Sequence, residues 1–216
     1  MFVRGKINTN IKDNRGDYMV GRELVFELMK KNNGILESKQ AEEAGIDNKV
    51  LQRLNQSGEI ERVGRGIYID ANYMEDEYFI TQYRCKKGIY SHETALFFHD
   101  LSDRTPLQLM LTIPSGYNTR LLRSKDKYKF FYSNEKLYEI GKMSLQSPYG
   151  NEIVVYNKER TICDCLRKKD KLDTDLVITA VKQYMKEPGA DFAKLLEYAE
   201  LFNIRELVRQ YMEVLS

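Results

Sequence analysis

The sequence predicts an α+β protein of two regions: an N-terminal winged helix-turn-helix, then a mixed α+β region that ends in a helical bundle. Three observations predict it. Ser38–Ile69 reads as two short helices followed by a tight hairpin; strand-like segments gather between Gln108 and Tyr156; and segments of helical periodicity close the chain after Asn157. Strands grouped ahead of helices, instead of alternating with them, argue against repeated βαβ units.

Taken in order, residues 1–18 are polar and rich in Asn, Gly and charge, and read as a loosely packed lead-in. The first domain then spans 19–70. From Val20 to Lys31 the apolar residues Leu24, Val25, Leu28 and Met29 recur at helical spacing, and Ile35-Leu36 adds a short strand. Ser38 is suited to cap the next helix, and Gly45 to end it. Asp47 is suited to cap a second helix whose Val50, Leu51 and Leu54 share one face, and Gly58 stops that helix. Ile60–Val63 and Ile67–Ile69 alternate like paired strands around Gly64-Arg65-Gly66. Helix, turn, helix and a small hairpin is the order in which a winged helix-turn-helix sets its second helix into the DNA major groove.

Residues 71–87, with Tyr78, Phe79, Gln82 and Tyr83, read as a connecting helix, and 88–216 as the α+β domain. Within it Ser91–His99 has helical spacing with Ser91 as its cap. Gln108–Ile113, Tyr128–Tyr132, Ile140–Gln146 and Glu152–Tyr156 read as strands. Helices are expected over Asn157–Arg167, Thr174–Lys186, Asp191–Leu201 and Ile204–Leu215, with a break and a new cap at Pro188-Gly189-Ala190-Asp191. The apolar stripes of these helices are core stripes before anything else, because spacing of i, i+3 and i+4 is what packed helices require.

Composition narrows the function classes. A net charge of +2, from 34 basic and 32 acidic residues, does not announce a nucleic-acid binder, so any such affinity must come from local clustering. No apolar run reaches bilayer length and the first residues lack a signal core, so the expectation is a cytoplasmic protein with no membrane partner. Three cysteines without paired spacing argue against a secreted disulfide scaffold. The chain contains no P-loop, no dinucleotide fingerprint and no G-x-S-x-G elbow.

Local clustering is found on the second short helix. With Val50, Leu51 and Leu54 turned inward, Asn48, Lys49, Gln52, Arg53 and Gln56 occupy the opposite side. Asn and Gln pair bidentately with adenine, and Arg and Lys with guanine, so these side chains suit base readout, although Lys and Gln also serve as an ordinary solvated face. Lys39, one helix earlier, and Arg62 and Arg65 on the hairpin are suited to phosphates or a narrow minor groove.

A second basic stretch, 117–132, interleaves Arg120, Arg123, Lys125, Lys127 and Lys129 with Tyr117, Tyr128, Phe130, Phe131 and Tyr132. It reads as an auxiliary nucleic-acid surface, against the competing expectation that the strand aromatics are core and the lysines plain surface. His92 and His99 stand seven residues apart, a spacing unlike that of metal-binding helices, and Cys163 and Cys165 match no metal-ligand pattern. Structural hydrogen bonds are the expectation for both histidines; no metal, no cofactor and no catalytic residue is expected.

The runs G-I-Y-S-H-E-T-A-L-F-F-H-D-L-S-D-R-T-P, residues 88–106, and V-Y-N-K-E-R-T-I-C-D-C-L-R, residues 155–167, resemble the AbiEi antitoxin family, with similarity extending from about Val20 to the C-terminus. These are repressor-antitoxins of type IV abortive-infection toxin–antitoxin operons. The resemblance implies a winged helix that represses its own operon at inverted repeats, and a C-terminal domain needed for neutralisation. It implies a nucleotidyltransferase-like toxin as functional partner, with no stable complex, and a regulator instead of an enzyme. Under it, Arg120, Arg123, Lys125, Lys127 and Lys129 become candidates for neutralisation. Two other classes stay open: a nucleic-acid-processing enzyme that docks substrate through the winged helix, and a winged-helix protein adaptor.

Overall fold

The computed structural model describes residues 16–119 and 124–215, and divides the chain into two units, Met1–Asp76 and Glu77–Ser216. Together they hold two sheets and more helix than strand, a mixed α+β chain.

In the first unit, helix α1 (Gly16–Lys31) carries Asp17 in its first turn and Lys30 and Lys31 in its last, so its charges complement the helix dipole. It starts earlier than Val20, so the expected lead-in already turns helical at Gly16. Tyr18 packs half-buried against the core of the unit. Strand β1 (Ile35–Glu37) follows, then helices α2 (Ser38–Glu43) and α3 (Asn48–Ser57), then strands β2 (Ile60–Gly64) and β3 (Ile67–Asp70). The strands form one sheet in the order β1-β3-β2, antiparallel throughout, with Leu36 opposite Tyr68 and Glu61 opposite Ile69. A bulge between Arg62 and Gly64 bends the hairpin near its tip.

The cap of α2 differs from expectation. Glu37, not Ser38, stands at its N-cap, and the Gln40 side chain accepts from the Glu37 N–H at 3.0 Å. The Ser38 N–H is engaged elsewhere, donating to the Gly66 carbonyl of the hairpin at 2.9 Å. Gly45, at φ +77°, makes the turn out of α2 in the left-handed region that a side chain would disfavour. The core joins Val25 and Met29 of α1 to Leu36, Ala41, Ile46, Val50, Leu51, Leu54, Ile60 and Tyr68.

In the second unit, α4 (Glu77–Arg84) is shorter than the helix expected over 71–87 and is part of this unit's sheet layer. The Gln82 amide donates to the Gly88 and Val154 carbonyls and accepts from the Val154 N–H. Strand β4 (Ile89–Tyr90) leads into α5 (His92–Phe98), followed by β5 (Leu109–Pro114), β6 (Tyr128–Ser133), a short α6 (Glu135–Tyr138) that the sequence reading omits, β7 (Lys142–Gln146) and β8 (Glu152–Tyr156). The sheet order is β6-β5-β4-β8-β7. The pairs β5–β6 and β4–β8 are parallel and the outer β7–β8 pair is antiparallel. Grouped strands therefore still contain parallel neighbours, joined by long connections.

Helix α7 (Lys158–Arg167) is buried from Glu159 to Leu166 and forms the centre of the helical layer. Around it pack α8 (Thr174–Lys186), α9 (Phe192–Leu201) and α10 (Arg205–Leu215), reached through a 3-10 turn at Lys169–Lys171. Asn157, Asp173 and Asp191 cap α7, α8 and α9 through side-chain acceptors, which ends each expected break as a hydrogen-bonded start. Among the described residues no helix is long and apolar enough to cross a membrane.

Candidate nucleic-acid interface

The α3 helix is fixed at both ends and on one side. Asp47 accepts from the Lys49 N–H at 2.8 Å, and Gly58, at φ +76°, closes the helix in a left-handed cap, its N–H and that of Glu59 donating to Asn55 and Leu54 carbonyls. Val50, Leu51 and Leu54 are buried in the unit's core. What remains outward is Asn48, Lys49, Gln52, Arg53 and Gln56, every one exposed.

Those five divide into two edges. Lys49 and Arg53, one turn apart, line a groove of about 560 Å³ shared with Asp17, Tyr18 and Val20 of α1. Asn48, Gln52 and Gln56 form the amide edge on the other flank. The face is thus amide-rich along one line and cationic along the other, which is a suitable mixture for adenine and guanine edges.

Three further contacts hold the surroundings of this face. The Arg62 N–H donates to the Asn55 side chain at 2.9 Å, tying the hairpin to α3. Asn55 was not singled out from the sequence, because its partner is supplied only by the fold. Arg22 of α1 and Glu59 form an ion pair with a second hydrogen bond at 2.9 Å, and Ser57 donates to the same carboxylate. The hydrogen bond to Arg22 holds the Glu59 carboxyl below its ordinary range. Arg62 and Arg65 are both exposed on the hairpin, and the Arg62 Nε donates back to the Gly64 carbonyl at 3.2 Å. Lys39 is exposed on α2 and pairs with Glu43 at 3.6 Å, one turn on.

The second basic stretch is not a single cationic run. Arg120 and Arg123 lie outside the described residues. Lys125 is exposed, Lys127 is neutralised by Glu77 at 2.6 Å, and the Lys129 ammonium donates to the Lys171 carbonyl at 2.6 Å. The aromatics are mostly core: Tyr128 and Phe131 point to opposite sides of β6 yet both are buried, while Tyr132 is 62 % exposed. Along β6 the burial is uneven: Phe130 is half-buried between Tyr128 and Phe131, and exposure rises at the Tyr132 end.

The histidines are structural in their contacts. His99 Nε2 meets the Tyr156 carbonyl at 2.6 Å, and His92 Nδ1 meets Ser91 Oγ at 2.8 Å while its ring stacks on Phe131 at 3.5 Å between centroids. Ser91 occupies the cap position of α5, but its hydroxyl is engaged with His92 and Thr112 and makes no capping bond. Burial pushes the pKa of both imidazoles down, for His92 aided by the surrounding Arg160, Lys129, Lys168 and Arg167. Burial also pushes the Cys85 thiol up to about 11 and the Cys163 thiol up to about 12, which keeps both protonated and unreactive. Among the described residues no group of three His, Cys, Asp or Glu side chains is placed to hold a metal ion.

A pH dependence follows from the imidazoles. Above about pH 6.5 they are neutral in folded and unfolded chain alike, and make no difference. Below it the unfolded chain takes up protons that the folded one resists, so stability falls as pH drops towards the lowered folded pKa values. Denaturant titrations of the full chain at pH 7.5 and 5.5 should show a lower midpoint at pH 5.5 for the second unit, and His92→Phe should flatten that difference. A pH difference as large in His92→Phe as in the parent would contradict it.

Residues 23–69, from the second turn of α1 through β3, match a family of transcriptional regulators. That family is the one described as "Transcriptional regulator, AbiEi antitoxin". The segments 88–106 and 155–167, which carry the resemblance in the second unit, lie beyond the matched residues. No curated protein matches this chain.

Proposed function

We propose that the first unit is a winged helix-turn-helix that binds operator DNA, with α3 in the major groove and the β2–β3 hairpin as the wing. The observation that carries this reading is the division of α3: one side is sealed in the core by Val50, Leu51 and Leu54, and the other leaves Asn48, Lys49, Gln52, Arg53 and Gln56 exposed together. The match of residues 23–69 to the AbiEi antitoxin regulators supports a regulatory use of that face. Asn48, Gln52 and Arg53 read bases, Lys49 and Gln56 support them, and Lys39, Arg62 and Arg65 hold the backbone or minor groove.

The chain as a whole is then an autoregulating repressor and antitoxin of a type IV abortive-infection operon. Its operator consists of inverted repeats, and its functional partner is a nucleotidyltransferase-like toxin that it counters without a lasting complex. The second unit supplies neutralisation, with Arg120, Arg123, Lys125, Lys127 and Lys129 as its candidate surface, in the cytoplasm.

Two substitutions separate the roles. Arg53→Ala should cost about 1–3 kcal/mol of specific binding and relax the preference at one base pair. Arg65→Ala should weaken binding evenly across sequences and reduce the dependence on salt by about one phosphate contact. Anisotropy titrations against the DNA upstream of the gene, at several salt concentrations, read both. If both variants bound like the parent, the DNA face would lie elsewhere.

A further inference from the structure

The first turn of α1 falls in the stretch that the sequence assigns to a lead-in, and it lies outside the matched residues 23–69. In the structure it is part of the α3 neighbourhood. The Arg53 guanidinium carbon stands 5.3 Å from the centroid of the Tyr18 ring, on its face. Tyr18 in turn is half-buried against the core of the unit, so the ring is a fixed platform and not a second mobile side chain. Gly21 eases this approach of α1 to α3: a Cβ there would press on Val50 Cγ2 at 3.1 Å. Tyr18, Lys49 and Arg53 line the same groove.

We infer that Tyr18 is a positioning residue for base readout: it holds Arg53 against α1 and thereby sets the direction from which the guanidinium reaches a guanine edge. The inference rests on the reading of α3 as the recognition helix. An arginine loses much of its rotamer freedom when it is immobilised on a ligand. A cation held over an aromatic face has lost part of that freedom already, so the cost at the moment of binding is smaller. Among the described residues Arg53 is the one member of the α3 face held over an aromatic ring, whereas Asn48, Gln52 and Gln56 are exposed. The readout of one guanine is therefore built from two helices, and the specificity of the site extends to a residue that need not touch DNA.

The test uses the full chain and a fluorescein-labelled duplex of the DNA immediately upstream of its reading frame, together with duplexes changed one base pair at a time. Tyr18→Leu should weaken binding to the parent duplex about threefold, in keeping with an exposed cation–π contact. It should leave binding to the duplex altered at the Arg53 base pair unchanged, and leave the salt dependence unchanged. Tyr18→Phe, which keeps the ring face, should restore the parent behaviour. In an Arg53→Ala background, Tyr18→Leu should have no further effect. If Tyr18→Leu binds like the parent while Arg53→Ala is weakened, the positioning role is overturned. If Tyr18→Leu weakens the Arg53→Ala protein as well, Tyr18 acts through the fold and the inference is overturned again. If Arg53→Ala itself binds like the parent, the reading of α3 on which all this rests is the part that fails.

Discussion

Arg160→Met should destabilise the second unit by about 3–5 kcal/mol, the cost of removing the nearer, buried partner of a buried charge. Arg160 is 1 % exposed and Asp164 4 %, a burial that charged residues tolerate only in pairs. Its Nε donates to Asp164 at 2.8 Å, and its Nη1 donates to the carbonyls of Leu137 and Ile140. The guanidinium also lies over the Tyr156 and Phe202 rings at 4.2 and 4.3 Å, and Arg167 reaches the second Asp164 oxygen at 3.4 Å. One side chain thus joins α7, α6 and the segment after it, β8 and the end of α9. Methionine keeps the volume but leaves Asp164 with only the longer Arg167 contact and two carbonyls without their donor. The double variant Arg160→Met with Asp164→Leu removes both charges and should recover much of the loss, because an apolar pair of similar volume often replaces a buried ion pair without penalty. Denaturant unfolding monitors both. A single variant within about 1 kcal/mol of the parent would mean that the pair behaves as a surface ion pair.

Leu54→Ala should cost the first unit about 2–5 kcal/mol. Leu54 is fully buried on α3 and belongs to the cluster that joins α1, α2, α3 and the sheet. A domain of this size has a net stability of only several kcal/mol, so the loss is a large share of the total. DNA binding should fall in parallel, since the outward residues of α3 are aligned only while its inward ones are packed. Gln52→Ala, exposed on the same helix, should change stability by no more than about 0.5 kcal/mol. Hydrogen exchange of the α3 amides distinguishes them: rapid exchange throughout α3 is expected for the leucine variant alone. Equal protection in both would contradict the assignment of inward and outward faces.

The contrast between Leu54 and Arg160 shows which features the chain displays openly. The inward and outward sides of α3 are legible because helical periodicity is local: Val50, Leu51 and Leu54 reveal the buried side within a few residues. Asp47 and Gly58 are legible for the same reason, since a cap acts on its nearest neighbours. Arg160 looks like any helix arginine, because the carbonyls and rings that enclose it come from distant segments. Asn55 and Tyr18 escape notice likewise, their partners Arg62 and Arg53 being supplied by the turn of the chain. Ser38 illustrates a different failure: a residue with good capping chemistry is displaced by the adjacent Glu37–Gln40 pair, while its own N–H serves the hairpin. The parallel pairs of the larger sheet were illegible because register between distant strands has no local signal.

If the outward face of α3 recognises a particular DNA sequence, that preference is measurable in a single titration. The full chain is titrated at physiological salt against the duplex immediately upstream of its reading frame and against a scrambled duplex of the same composition. Binding to the upstream duplex should be at least about a thousandfold tighter, the lower bound for a specific protein–DNA complex. Equal affinity for the two duplexes would contradict it.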